Sequence, residues 1–224
     1  MSLLVKICGL RSAEAVDAAL EAGADMLGFV FFPASPRHVD FETARTLADR
    51  VGARAQKVAL SVDAGDDDLA RVVEALRPDL LQLHGSETPE RVAALRARLG
   101  VPVMKVLPIA EAADLSSIPL YRPVADRLLF DAKPPRGATR PGGLGKSFDW
   151  SILSHADPGL PYMLSGGLDA ANVANALRIT GAPGVDVSSG VERASGEKDA
   201  DKIRAFVKAA RAAERDSKFA VSPA

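Results

Sequence analysis

The stretch Leu3-Leu4-Val5-Lys6-Ile7-Cys8-Gly9-Leu10 begins as an apolar run and contains the only cysteine of the 224-residue chain. Side chains alternate faces along a strand, so Lys6 and Cys8 share one face while Val5 and Ile7 share the other. Gly9 lets the backbone turn directly after Cys8. The stretch therefore predicts a strand that presents a thiol at its carboxyl end, where parallel sheets and barrels carry their chemistry.

Further short runs rich in Val, Leu, Ile and Phe follow, and helical patterns alternate with them. This alternation is typical of parallel βα units. The predicted strands cover approximately residues 3–8, 25–31, 56–62, 80–84, 102–107, 127–131, 162–165 and 184–188. Eight units in a chain of this length favour a single-domain (β/α)8 barrel of the TIM type, because closure leaves no exposed sheet edge. An open doubly wound sheet is the alternative.

Helix starts are predicted from capping residues. Ser12, Asp40 and Thr88 stand as N-caps before helical patterns over 13–22, 41–51 and 90–99. Acidic residues open a helix over 66–76, and further helices are predicted over 170–179 and from 200 to about 213, with a short helix at best between 114 and 127. We expect residues 1–216 to form the barrel and 217–224 to be a frayed tail.

Composition narrows the classes of function. The net charge is −1 with both signs interspersed, which argues against a nucleic-acid partner, and no apolar run is long enough to cross a membrane. His38, His84 and His155 lie far apart and predict no metal site. A lone cysteine allows no internal disulfide, so we expect a cytoplasmic protein in a reducing compartment.

Three charged or polar residues end or follow predicted strands. Arg37 lies in a loop stiffened by two prolines, where a guanidinium suits a carboxylate or phosphate, although a solvated arginine is the alternative. His84 ends the fourth strand and is either a site residue or a hydrogen-bonded histidine that closes the barrel top. Asp131 ends the sixth strand, either as a general acid or as a loop-capping residue.

Glycine-bearing loops follow the last three strands. The loop over 133–149 contains Gly142 and Gly143, and its length predicts a lid or binding loop. Gly166 and Gly167 follow strand seven, while Ser189 and Gly190 follow strand eight. Because the loops after strands seven and eight are the common phosphate site of barrels, we predict that a phosphate binds there.

Together these motifs resemble the phosphoribosylanthranilate isomerase family, in order and over nearly the whole barrel. The matching segments are Lys6-Ile7-Cys8-Gly9-Leu10, Ser35-Pro36-Arg37, Gln82-Leu83-His84-Gly85, Asp131, the loop from Pro141 to Trp150, Ser165-Gly166-Gly167-Leu168 and the run from Val185 to Glu192. The resemblance implies a barrel of tryptophan biosynthesis that needs neither cofactor nor metal. It also implies an Amadori rearrangement of N-(5'-phosphoribosyl)anthranilate to 1-(2-carboxyphenylamino)-1-deoxyribulose 5-phosphate, an aldose–ketose isomerisation.

The resemblance also implies roles for individual residues. It makes Cys8 the general base, Asp131 the general acid and Arg37 the partner of the anthranilate carboxylate, with the glycine loops on the phosphate. The full set of predicted substrate-binding residues is Arg37, His84, Gly142, Gly143, Gly166, Gly167, Asp186, Ser189 and Gly190. The expected partner is thus a small phosphosugar–anthranilate, bound by a monomer or a homodimer. Leu144 departs from the family, in which relatives often carry a small polar residue in the lid.

Several alternatives remain open at this point. Lys6 either lowers the pKa of Cys8, whose ordinary value of about 8.5 is high for a base, or forms a buried ion pair with Asp186. A metal-dependent ribulose-phosphate epimerase would need clustered histidines and carboxylates, and a histidine-pathway isomerase would pair two aspartates. A non-catalytic phospholigand-binding barrel would use the glycine loops and Arg37 but not Cys8 and Asp131.

Overall fold

A computed structural model describes residues 2–220 of the chain, with the backbone alone described for His155 and residues 216–220. Eight parallel strands form a closed barrel in the order β1 to β8. They are β1 Leu4–Cys8, β2 Met26–Phe31, β3 Gln56–Ser61, β4 Leu80–Leu83, β5 Val103–Ile109, β6 Arg127–Ala132, β7 Tyr162–Leu164 and β8 Gly184–Val187. The predicted barrel is confirmed, and each strand lies within one or two residues of its predicted range.

Helices connect most of the strands on the outside of the barrel. They are α1 Ala13–Ala22, α2 Phe41–Val51, α3 Asp66–Leu76, α4 Pro89–Leu99, α5 Ile118–Tyr121, α6 Val173–Thr180 and α7 Ala200–Ala220, with 3-10 helices at Ala112–Ser117, Trp150–His155 and Ser189–Val191. Ser12, Asp40 and Thr88 accept hydrogen bonds from the third residue beyond them, as N-caps do.

Three features differ from the prediction. Helix α6 begins at Val173 because the Asp169 side chain accepts from the backbone N–H groups of Ala171 and Asn172 and holds a turn there first. Helix α7 continues to Ala220, into the segment expected as a tail, while residues 221–224 lie outside the described part of the chain. A small antiparallel hairpin, β9 Glu192–Ala194 and β10 Glu197–Lys198, follows β8 and was not predicted.

The barrel has two apolar layers. Inside it, Met26, Val58, Leu80, Met104 and neighbouring residues pack at the amino-terminal end of the strands. The outward faces of the strands, Val5 and Ile7 among them, pack against the helices in a larger cluster. The alternation in β1 therefore places Lys6 and Cys8 inside the barrel, with Cys8 packed near Val30 and Leu60 toward the carboxyl end.

Candidate active site

A cavity lies at the carboxyl ends of the strands, which we call the mouth of the barrel. Ten of the predicted site residues line it: Cys8, Arg37, His84, Asp131, Gly142, Gly143, Gly166, Gly167, Asp186 and Ser189. The eleventh, Gly190, packs behind the lining, where an added Cβ would lie 2.0 Å from the backbone oxygen of Leu168. The loops after β7 and β8 therefore touch each other, although Gly190 does not itself face the cavity.

Cys8 and Lys6 have room on the inner face because β2 carries a glycine beside them. A Cβ on Gly28 would lie 2.9 Å from the sulfur of Cys8 and 3.2 Å from Cε of Lys6. The Lys6 ammonium donates to Asp186 Oδ1 at 2.7 Å, and the Ser165 hydroxyl donates to Asp186 Oδ2 at 3.2 Å. The ion pair that the sequence left as an alternative is thus present, and it joins β1 to β8 where their residues are in register.

The charges beside Cys8 act on its pKa in opposite directions, since Asp186 raises it whereas Lys6 and Lys198 lower it. Burial raises the pKa of the Cys8 thiol, while the positive charge of Lys6 works to lower it. Burial likewise works to lower the pKa of Lys6 and is the largest single influence, but the charges and hydrogen bonds of Asp186 and Cys8 together outweigh it, so the pKa of Lys6 is raised. Lys6 therefore acts in the hypothesised direction without bringing the thiol below its ordinary pKa.

Across the mouth, strands β4 and β6 bring two more predicted residues together. Oδ2 of Asp131 lies 3.3 Å from Nε2 of His84, and both side chains are largely buried. Oδ1 of Asp131 accepts from the backbone N–H of Ala132 at 2.9 Å. The carboxyl group is therefore held in one orientation at the edge of the cavity, as a proton donor requires.

Arg37 has a partner that the sequence analysis did not identify. Its Nε and Nη2 donate to the two carboxylate oxygens of Glu192 at 2.7 and 2.8 Å, and Nη2 also donates to the Gly143 carbonyl at 3.2 Å. Glu192 also accepts from the buried ammonium of Lys198 at 2.8 Å. The guanidinium is thus buried at the cavity wall in a charged cluster, with Nη1 making no hydrogen bond to the described residues.

In the glycine loop after β7, the backbone passes very close to that of β6. Gly166 has φ +90°, and a Cβ there would lie 2.8 Å from the backbone nitrogen of Ala132. An L side chain would be strained at this position by both its conformation and its surroundings. The loop can therefore bring backbone N–H groups close to an anion, as the phosphate prediction requires.

Two polar atoms at the cavity lack a partner among the described residues. They are Oε1 of Gln82 and Nε of Arg140, each buried in a side chain that lines the mouth. Gln82 shares a strand face with His84, so its orientation was predictable, but no role was assigned to it. Arg140 belongs to the long loop, whose conformation the sequence does not specify.

Two features are absent from the described residues. Between residues 2 and 220, no group of three or more His, Cys, Asp or Glu side chains is arranged to hold a metal ion. Within the same range, no helix combines the length and apolar character that a membrane crossing requires.

Comparison with known proteins identifies the family. The model of the N-(5'phosphoribosyl)anthranilate (PRA) isomerase family matches residues 5–209. The N-(5'-phosphoribosyl)anthranilate isomerase of Rhodopseudomonas palustris (strain BisB5) is 62% identical over 214 residues, covering 96% of this chain and 98% of that protein.

Solved structures give the same result. The phosphoribosyl anthranilate isomerase of Thermotoga maritima has a TM-score of 0.85 at 35% identity, covering 94% of this chain and 99% of that one. A phosphoribosyl anthranilate isomerase in complex with reduced 1-(o-carboxyphenylamino)-1-deoxyribulose 5-phosphate has a TM-score of 0.82 at 32% identity, covering 94% and 99% of the two chains. With its sequence and its barrel matched over nearly their whole length, this chain belongs to the N-(5'-phosphoribosyl)anthranilate isomerase family.

Proposed function

We propose that the barrel isomerises N-(5'-phosphoribosyl)anthranilate with Cys8 as general base and Asp131 as general acid. The activity is the aldose–ketose isomerisation of its family, a step of tryptophan biosynthesis. The observation that carries the residue assignment is one cavity lined by both a thiol and a carboxylate from separate strands, beside two glycine loops. A site for binding alone gives no reason for that pair.

The chemistry requires one proton donor and one proton acceptor. Asp131 gives its proton to the furanose ring oxygen as the bond from C1 to that oxygen breaks, and the nitrogen lone pair forms the iminium. The Cys8 thiolate then takes the proton from C2, and the electrons of that bond form the C1–C2 double bond of the enolamine while the iminium nitrogen regains its lone pair. Tautomerisation of the enol gives the ketone, so no electrons are gained or lost overall.

The substrate carries two anionic groups, and the mouth has groups to match them. The loops after β7 and β8 are proposed to hold the phosphate through Gly166, Gly167 and Ser189, with Gly190 packed behind them against Leu168. Nη1 of Arg37 is the guanidinium nitrogen still able to donate to the anthranilate carboxylate. The remaining predicted contacts, His84, Gly142, Gly143 and Asp186, line the same cavity.

The cellular compartment, the ligand and the assembly state of the enzyme are also proposals. A free thiol as the general base is compatible with a reducing cytoplasm, where cysteines stay unoxidised. The proposed ligand is a small phosphosugar–anthranilate, and a monomer or a homodimer remains the predicted assembly.

The test follows the loss of anthranilate fluorescence as phosphoribosylanthranilate, generated in the cuvette, is consumed. Wild type is compared with Cys8→Ser and Asp131→Asn, with no metal added. We expect each variant to lose roughly 10²–10⁴-fold in kcat, the usual contribution of a positioned acid or base, with a smaller change in KM.

Asp157→Asn is the matched control, because the Asp157 side chain is 87% exposed and lies outside the cavity. Its rate should equal that of wild type. Turnover by wild type that survives both Cys8→Ser and Asp131→Asn would contradict the assigned roles. An inactive wild type that still binds inorganic phosphate would favour the non-catalytic binding barrel.

A further inference from the structure

The hairpin β9–β10, which the reaction scheme above does not use, places a buried lysine beside the general base. Lys198 lies on β10, and its side chain is only 1% exposed. Its ammonium donates to Glu192 Oε1 at 2.8 Å, to the Ser188 carbonyl at 2.9 Å and to the Ser188 hydroxyl at 3.3 Å. These contacts use all three of its protons, so Lys198 acts through its neighbours and not on a ligand directly.

One route leads from Lys198 to the end of β1. The Ser188 hydroxyl, which accepts from Lys198, donates to the backbone carbonyl of Cys8 at 3.1 Å. The positive charge of Lys198 also acts on the Cys8 thiol, in the same direction as that of Lys6. Lys198 is therefore linked to the base both by a hydrogen-bond chain and by its charge.

A second route leads to Arg37 through Glu192. The Glu192 carboxylate is shared between Lys198 and the bidentate Arg37, and it also accepts from the Gly196 N–H at 3.2 Å. Arg37 in turn packs its Cδ against Gly9, where a Cβ would lie 2.5 Å away. The orientation of Arg37 at the cavity wall thus depends on a carboxylate whose own position depends on Lys198.

The charged groups on the β1 side of the mouth sum to one positive charge. There, three cations (Lys6, Arg37 and Lys198) face two carboxylates (Asp186 and Glu192). Across the cavity stand His84 and Asp131, which face each other, and the loop after β6 adds Lys133, Arg140 and Lys146 to the lining. Without Lys198, the charges on the β1 side would sum to zero, and less positive charge would oppose the rise that burial causes in the pKa of the thiol.

We propose that Lys198 is a positioning residue of the isomerase, which holds Glu192 and Arg37 in place and supplies the net positive charge that stabilises the Cys8 thiolate. The inference rests on the proposed function, since it deepens the role of Cys8 as base. It also has a readout that needs no substrate. Because the chain has a single cysteine, any thiolate signal belongs to Cys8.

The experiment measures the pH midpoint of thiolate formation at Cys8 in two ways. The first is ultraviolet absorbance of the thiolate, with the same protein carrying Cys8→Ser as the blank for each variant. The second is the rate of alkylation by iodoacetamide. Lys198→Met should raise the midpoint by about 0.5–1 unit, and Lys198→Arg should restore it. Glu192→Gln should lower the midpoint, because it removes a negative charge from the same cluster. A general loosening of the fold would move both variants in one direction, so opposite shifts identify the charge effect.

Lys202→Met is the matched control, because the exposed Lys202 donates to the backbone carbonyl of Glu192 at 2.8 Å and leaves the carboxylate alone. Its midpoint should equal that of wild type. In turnover, Lys198→Met should raise KM, because Arg37 is no longer held in place. It should also lower kcat at neutral pH, because less of Cys8 is thiolate, and kcat should recover at alkaline pH.

Midpoints that do not move, or that move together in Lys198→Met and Glu192→Gln, overturn the proposal. Should Lys198→Met fail to fold, Glu192→Gln decides, since an unshifted or raised midpoint there also overturns it. Opposite shifts in a protein without isomerase activity would support the charge arrangement and refute the proposed function alone.

Discussion

Lys6 and Lys105 are both buried lysines that pair with a carboxylate at 2.7 Å, yet they lie on opposite faces of the barrel wall. Lys6 points inward and shares its strand face with Cys8. Lys105 lies on β5 between Met104 and Val106, whose side chains fill the barrel interior, so its own side chain points outward. Its ammonium lies 5.7 Å from the centre of the Tyr121 ring, on the helical side.

The outward pair fixes a loop. Glu87 accepts from the backbone N–H groups of Asp63 at 3.0 Å and Gly85 at 2.9 Å, while Lys105 donates to the Gly85 carbonyl at 2.7 Å. Gly85 directly follows His84, so this pair sets the backbone that carries His84 toward Asp131. The inward pair instead faces the reacting groups. The same type of buried ion pair thus places a charge beside Cys8 on the inner face of the barrel, whereas on the outer face it fixes the backbone of a loop.

The largest expected effect is a loss of stability in Lys6→Met and Lys105→Met, two variants that test whether the inward and outward pairs have different roles. Each leaves a buried carboxylate without its cation, which costs roughly 3–5 kcal/mol in the free energy of unfolding. Denaturant unfolding should show a similar loss for both variants. Only Lys6→Met should also raise the pH midpoint of Cys8 alkylation, because the charge of Lys6 lowers the pKa of that thiol.

The control for both is Lys133→Met, whose partner is Asp114 and whose side chain is 47% exposed. An exposed pair contributes at most about 1 kcal/mol, so its unfolding should barely change. A Cys8 midpoint that rises as far in Lys105→Met as in Lys6→Met would remove the distinction between the two pairs.

The barrel itself was predictable because its signals are local. Alternation places Lys6 and Cys8 inside, and the side chains of Ser12 and Asp40 cap the helices that their positions predict. The site residues at strand ends follow from the same rule, since parallel strands deliver their carboxyl ends to one mouth. Asp131 and His84 meet there for this reason.

The Lys6–Asp186 pair was among the alternatives that the sequence offered, but the charged partners of Arg37 were not predictable. Glu192 lies 155 positions from Arg37 along the chain, and nothing in the local pattern joins them. Lys198 stands in the run Glu197-Lys198-Asp199, which has the composition of a solvated turn. Its burial depends on how the hairpin packs against Ser188 and the loop that carries Arg37, and that is decided by tertiary contacts that periodicity does not record.

A second prediction uses pH to test the charged cluster that Arg37, Glu192 and Lys198 form on the β1 side of the mouth. Burial alone would raise the pKa of Glu192. Arg37 and Lys198 together outweigh that effect and lower the pKa of Glu192 to about 2. A carboxyl whose pKa is lowered on folding stabilises the fold above its ordinary pKa of about 4.5 and loses that contribution as pH falls toward the lowered value. The unfolding free energy of wild type should therefore exceed that of Glu192→Gln near neutral pH, by roughly 3 kcal/mol.

The difference between the two proteins should shrink as pH falls from about 4.5 to about 2, because the other carboxyl groups are common to both and cancel. Denaturant unfolding at a series of pH values measures it. A difference that is constant across this window would show that the charge of Glu192 does not stabilise the fold.

The smallest expected effects come from Gly142 and Gly143, two neighbouring glycines of the loop after β6, which face opposite sides of the mouth. A Cβ on Gly142 would lie 2.5 Å from Oδ2 of Asp131 and 2.6 Å from Cε1 of His84, whereas a Cβ on Gly143 would lie 2.6 Å from Nη1 of Arg37. Gly142→Ala should therefore displace Asp131, the proposed proton donor, and lower kcat about tenfold, equivalent to about 1.4 kcal/mol. Gly143→Ala should displace Arg37, the proposed partner of the substrate carboxylate, and raise KM by a similar factor.

Backbone strain has to be separated from these contacts, since Gly143 has φ +68° and alanine is disfavoured there whatever it touches. Gly145→Ala provides the control: its φ is +71°, but the nearest atom to an added Cβ is the Ser189 hydroxyl oxygen at 3.6 Å, an ordinary contact. It should share the strain of Gly143→Ala without the rise in KM. If Gly142→Ala and Gly143→Ala instead change kcat and KM in the same proportion, the loop after β6 acts as one unit, and its two glycines do not affect the two sides of the mouth separately.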